Sequence, residues 1–192
     1  MPGPGRRPGT PDTRGAILAA ARTSFAQKGF QATTMRAVAG AAGVAPGLLH
    51  HFFGSKDDLF LAALAVPFDP REMLAPVPVG PRSEVGLRLA KAALAVWEDE
   101  QHREPMLAFL RAAMQSPELA AAVRAGIPAI ALGVLGEVVI GPDAPLRVEL
   151  AVSQMLGLAV IRYVIAMEPL ASLPADELVD RLAPVLQQHL IH

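Results

Sequence analysis

The tightest constraint in this chain is a glycine. Gly43 follows the short pattern Val38-Ala39, precedes Pro46 by three residues and Leu49 by six. Glycine accepts backbone angles that stop one helix and turn the chain sharply. Proline opens another helix at its first position, where a missing N–H costs no intrahelical bond. Alanine at 39 lets two helices come close, and leucine at 49 packs back from the second. Residues 34–41 and 46–52 therefore read as the support helix and the reading helix of a helix-turn-helix. Val44 plugs the turn. Leu49 and Phe53, at i and i+4, anchor the reading helix inward. Pro46, Gly47, Leu48, His50 and His51 are left on or near the outward face. A face this bulky and free of acids suits the major groove of DNA, which admits a helix and offers thymine methyls and flanking phosphates.

Charge points the same way. Net charge is −1, but it is unevenly spread. Residues 1–56 hold seven basic side chains, Arg6, Arg7, Arg14, Arg22, Lys28, Arg36 and Lys56, against Asp12 alone. That stretch is +6 and the remainder, with 10 basic and 17 acidic residues, is −7. A basic end on an acidic body fits a polyanion-binding segment.

The rest of the chain reads as helices punctuated by proline and glycine. Residues 1–9, MPGPGRRPG, read as a disordered arm. Thr10-Pro11-Asp12 reads as a helix start and Gly29 as its stop. Ser55 caps a fourth helix, which Pro67 and Pro70 end. Residues 76–83 read as a linker-like turn. Amphipathic helices are expected near 84–98, 104–115, 118–140, 143–167 and 175–190, with Pro128 kinking or dividing the third and Pro184 bending the last. No strand pattern and no internal repeat are evident.

With no cysteine among 192 residues, disulfides, thiolate metal sites and cysteine nucleophiles are excluded. The apolar uncharged runs 125–136 and 150–161 fall short of the ~20 residues a bilayer span requires, and no secretory signal is evident. The expectation is a cytoplasmic protein without a membrane partner. No zinc spacing, P-loop, dinucleotide glycine motif or nucleophile elbow is present, so an enzyme, a metal site and a cofactor are not expected. His102 and His189 read as surface residues, and Glu98-Asp99-Glu100 as a solvated helix end.

Residues 13–64, with "ILAAARTSFAQKGFQATTMRAVAGAAGVAPGLLHHFFGSKDDLF", resemble the N-terminal domain of TetR/AcrR-type transcriptional regulators. Phe25…Gly29-Phe30, Thr33-Thr34, Ala39…Ala42-Gly43-Val44 and Leu49…Phe53-Gly54-Ser55-Lys56 carry the match. The C-terminal "GLAVIRYVIAMEPLASLPADELVDRLAPVLQQHL" resembles the tail of an actinobacterial TetR subgroup. The resemblance implies an all-α fold: a disordered arm (1–9), a three-helix helix-turn-helix domain (10–56) and a larger helical ligand-binding and dimerisation domain (57–192). It implies that Thr34, Lys56 and His50 hold phosphate. Arg36 would reach a base edge or phosphate, and Pro46, Gly47 and Leu48 would face bases. Two departures stand out: Leu48 replaces the family's common threonine, and His50 its tyrosine. Imidazole can carry charge, so DNA binding is expected to tighten at acid pH.

The resemblance further implies a homodimer on a near-palindromic operator, paired through the last two long helices. Gly157, Ala159, Leu178, Leu182, Val185 and Leu186 are the candidate contacts. A small-molecule effector pocket is implied among the remaining helices. Trp97, Met106, Phe109, Met114, Met155 and Tyr163 are candidate apolar lining, with Arg111, Gln154 and Arg162 as polar anchors for an apolar or amphipathic effector. The expected function is a repressor released from its operator by that effector. The alternative is a small-molecule-binding or interaction protein that keeps the helix-turn-helix only as scaffold.

Overall fold

A computed structural model of the chain describes residues 12–191. The arm expected at 1–9 and the Thr10-Pro11 start lie outside the described residues. Ten α-helices follow, with no strand among the described residues. The first is α1, Thr13–Ala32, capped by Asp12, whose carboxylate accepts from the Gly15 N–H at 2.8 Å. Its run is interrupted at Gly29, where φ is 77°. There the Thr33 hydroxyl donates to the carbonyl of Gly29 at 2.8 Å and lies 3.1 Å from that of Ser24, closing the helix end with a buried side chain.

Short helices α2 (Met35–Ala41), α3 (Pro46–Phe53) and α4 (Lys56–Leu64) come next. Thr34 caps α2 and accepts from Ala37. The turn to α3 runs through Gly43 at φ 68°. Ser55 and Asp58 form a capping box on α4; each such cap is worth about 1 kcal/mol. Ile17, Phe25, Val38, Leu49, Leu59 and Phe60 fill the core between these helices. The expected division at Lys56 and Asp57 falls in the first turn of α4, whose apolar side belongs to this N-terminal core.

The segment after α4 differs from the expectation. Ala65 stops α4 in a left-handed conformation, and Pro70 opens a helix rather than ending one. This is α5, Pro70–Leu74, capped by Asp69. Then come α6 (Val85–Glu98), α7 (Glu100–Gln115), α8 (Pro117–Leu135), α9 (Ala144–Ala159) and α10 (Ala175–Ile191), with a π-helical turn, Val160–Val164, extending α9. Neither Pro128 nor Pro184 divides its helix. Helix α10 lies along α6 in the main contact of the larger domain. Gly86 makes the approach possible, since a Cβ there would meet the Ala183 carbonyl oxygen at 2.4 Å.

The uncharged-run argument against membrane spans needs correcting. Pro117–Leu135 and Ala144–Val164 carry few charges and are long and apolar enough to cross a bilayer, with mean hydropathies of 1.6 and 1.4. Both also contribute to the protein core. Helix α8 buries Ala122, Gly126, Ile130, Ala131 and Leu135, and α9 buries Ala144, Val148, Ala151 and Ala159. Ala122 and Ile130 enter the N-terminal core while Ala131 and Leu135 enter the larger one, so α8 joins the two.

Candidate nucleic-acid interface and the cavity behind it

Helix α3 is amphipathic in the sense its spacing predicts. Leu49 and Phe53 are buried, and Pro46, Gly47, Leu48, His50 and His51 are exposed. Gly47 has nothing within 4 Å of where a Cβ would stand. A glycine inside a helix costs roughly 0.5–1 kcal/mol, and no internal packing requires it here. Close approach of an external surface would use that bare backbone. Ala45 offers no side-chain cap; Pro46 opens the helix unaided.

The neighbouring elements add cations. Arg36 is exposed in the first turn of α2, an end where the helix dipole disfavours positive charge. Thr34 is exposed beside it. Lys56 begins α4 and is committed on two sides: its ammonium donates to the Phe30 carbonyl at 3.1 Å and lies 4.4 Å from the centre of the Phe30 ring. Arg22 is likewise engaged internally, donating to the Ala63 carbonyl. Arg14 sits with its guanidinium 5.5 Å from the centre of the Phe53 ring. Sequence reasoning counted Arg14 only within the basic segment and missed Phe52, which is 42% exposed. Phe52 follows Leu48 by four residues, so helical spacing alone puts it on the outward face.

Within the larger domain a cavity of about 190 Å³ opens between α5, α6, α7, α8 and α9. Trp97, Met106, Phe109 and Met155 line it as expected. The other candidates do not. Arg111, Met114 and Gln154 are exposed, with Met114 77% accessible, because their helix positions turn them outward. Arg162 is buried but committed elsewhere: it donates to Glu98 at 3.0 Å and to the Leu170 carbonyl at 2.5 Å. Tyr163 stacks on Trp97 with ring centres 5.8 Å apart and donates to the same Glu98 oxygen at 2.8 Å. Burial first, then that bond to a carboxylate, pushes the phenol up to about 12. Glu98, exposed at the end of α6, also pairs with Arg162, while Asp99 caps α7 and pairs with His102 at 2.7 Å. The segment 66–74 supplies Val66, Phe68, Pro70, Met73 and Leu74 to the lining, and sequence reasoning assigned none of them. Asp69-Pro70 carried a readable helix-start signal, the same proline-first signature seen at Pro46.

The candidate dimer residues divide. Leu178, Leu182 and Leu186 are buried in the protein's own core, and Ala159 is 1% exposed. They are therefore corrected from partner contacts to internal packing. Gly157 and Val185 are on the surface. Exposed beside them along α9 and its extension are Leu146, Leu150 and Val164, at 57%, 39% and 49%.

A helix-turn-helix with an acid-free exposed reading helix, carried on an all-helical body with an apolar cavity, defines the class of one-chain bacterial regulators. Residues 17–63 match the family described as bacterial regulatory proteins, tetR family, and residues 83–190 match the tetracyclin repressor-like C-terminal domain. The chain belongs to the TetR family. It is 43% identical over 54 residues to the HTH-type transcriptional regulator BetI of Rhizobium meliloti (strain 1021), covering 28% of this chain and 27% of that protein. It is 44% identical over 46 residues to the HTH-type transcriptional repressor KstR2 of Mycobacterium tuberculosis, covering 24% and 23%. The chain thus matches about a quarter of the length of these curated relatives. A crystal structure of a TetR-family regulator from Streptomyces coelicolor A3 is similar over 97% of this chain and 99% of that one, at 37% identity and a TM-score of 0.45.

Proposed function

We propose that this protein is a homodimeric, ligand-responsive repressor that acts in the cytoplasm and binds a near-palindromic operator. The carrying observation is the exposed face of α3, where Pro46, Gly47, Leu48, His50 and His51 stand clear of the core. Thr34, Arg36 and Lys56 flank it from α2 and α4 as phosphate or base contacts. Regulation, rather than catalysis, is the activity that family membership supports.

Operator binding needs two reading heads about 34 Å apart, and the apolar stripe of Leu146, Leu150, Gly157 and Val164 on α9 and its extension, with Val185 on α10, is the pairing surface we assign. Effector binding in the cavity favours a state whose reading heads are wrongly spaced. Linkage then requires DNA to weaken effector binding by the same factor.

A gel-shift titration with the intergenic DNA flanking the gene tests this, using wild type and Arg36→Ala. Arg36 is exposed, so its loss should leave the fold intact and cost at least about fivefold in affinity, the low end for one specific base contact. A protein that kept the motif only as scaffold would shift no fragment in either form.

A further inference from the structure

We propose that the cavity accepts an uncharged, apolar molecule with no hydrogen-bonding group, the size of a monocyclic hydrocarbon. This rests on the ligand-responsive reading above and names the ligand class for that site. Trp97, Met106, Phe109, Ala131, Met155 and Val66 stand on different walls, and every other lining residue is an aliphatic or aromatic side chain or a proline. The polar groups nearby, Arg162 and Tyr163, do not line it and bond to Glu98 instead, with only the Nε of Arg162 left buried and unpartnered. Tyr163 lies flat against Trp97, and both Tyr163 and Arg162 are bonded to Glu98. Apart from the indole N–H of Trp97 the lining carries no side-chain N–H or O–H, so a ligand charge or amide entering the cavity would lose its water and find at most one donor, which opposes binding. An apolar guest loses nothing of the kind. An apolar cavity of roughly 150 Å³ stays dry and takes up benzene. The 190 Å³ here has room for about six to nine non-hydrogen atoms by the same scale.

The chain carries its own reporter, because Trp97 is its single tryptophan and lines the cavity. The full-length protein is titrated in sealed cells with toluene, benzylammonium and benzoate, reading tryptophan fluorescence, melting temperature and DNA affinity. Toluene should give a saturable fluorescence change and raise the melting temperature, as any ligand of the folded state does. The two ions should give neither at ten times the concentration. Ala131→Leu should abolish the toluene response; Val123→Leu, a gentler filling of the same space, should weaken it at least threefold if the first variant folds poorly. An equal or stronger response to either ion, or no saturable response to toluene, overturns the ligand class while leaving DNA binding untouched. Toluene binding with no change in DNA affinity supports the ligand class and overturns the regulatory reading beneath it.

Discussion

The imidazole Nδ1 of His50 lies 3.0 Å from the carbonyl oxygen of Gly54. A carbonyl only accepts, so Nδ1 carries the proton. Neutral His50 therefore turns a bare Nε2 lone pair outward, and a lone pair repels phosphate. Only the imidazolium donates from both nitrogens. Contact between the Nε2 of His50 and a phosphate requires an added proton. DNA affinity should therefore be higher at pH 6 than at pH 8. His50→Tyr, which restores the hydroxyl typical of the family, should flatten that dependence. Equal wild-type affinity at both pH values, at matched salt and with unchanged circular dichroism, would remove the role.

Phe60 meets the backbone of α8 at Gly126. A Cβ at position 126 would stand 2.1 Å from the Phe60 Cζ, and the same ring packs edge-on against Phe25 and Phe30 at 5.0 and 5.1 Å. Val123 and Ile127, either side of Gly126, line the cavity. The cavity wall and the N-terminal core thus meet on one turn of α8. Gly126→Ala should destabilise by about 1–3 kcal/mol through overpacking, lowering the melting temperature by roughly 2–4 °C per kcal/mol. Phe60→Leu in the same chain should recover part of the loss. An unchanged melting temperature for Gly126→Ala would contradict the contact.

Arg71 bridges α4 and α5 by pairing with Asp58 and, at 2.6 Å, with Asp69. The Ser55 hydroxyl first, and Arg71 second, hold Asp58 below the ordinary carboxylate value of 3.8; Arg71 chiefly does the same for Asp69. Depressed carboxylates contribute stability above their unfolded pKa and lose it as pH falls through the lower folded value. The contribution is therefore complete at pH 7 and fades below about pH 4. Since the groups are partly exposed, Arg71→Ala should cost about 1 kcal/mol or less at pH 7 and a smaller amount at pH 3 by urea unfolding. An equal cost at both pH values would show that the role is not ionic.

Leu150 and Leu186 should behave differently when changed. Leu186 is fully buried against its own protomer, so Leu186→Ala should destabilise by about 2–5 kcal/mol. Leu150 is 39% exposed on α9, so Leu150→Glu should leave the fold intact and shift the mass in light scattering from dimer to monomer. A dimeric Leu150→Glu would place the interface elsewhere.

The caps and prolines made most of the fold legible in sequence. Thr34, Pro46 and Ser55 mark their helix starts because each satisfies or dispenses with an orphan N–H locally. The inward and outward residues of α3 followed from one period. What failed was non-local. Periodicity gives α10 an apolar stripe but cannot say whether α6 of the same chain or a partner covers it, and Leu178, Leu182 and Leu186 were misplaced for that reason. Arg162 looked like a pocket anchor because its partner Glu98 is 64 residues away. Residues 66–74 were passed over because so short a helix carries no period of its own.

The salt dependence of DNA affinity tests the exposed face of α3 most directly. If each half-site neutralises about four phosphates, the dimer should show a log–log slope near −7 for affinity against salt concentration. Measured by fluorescence anisotropy on the operator fragment, a slope near that value is the result expected. A slope near −1 would mean that the cations of the basic N-terminal segment, Arg36 and Lys56 among them, do not meet the backbone together, and would contradict the account.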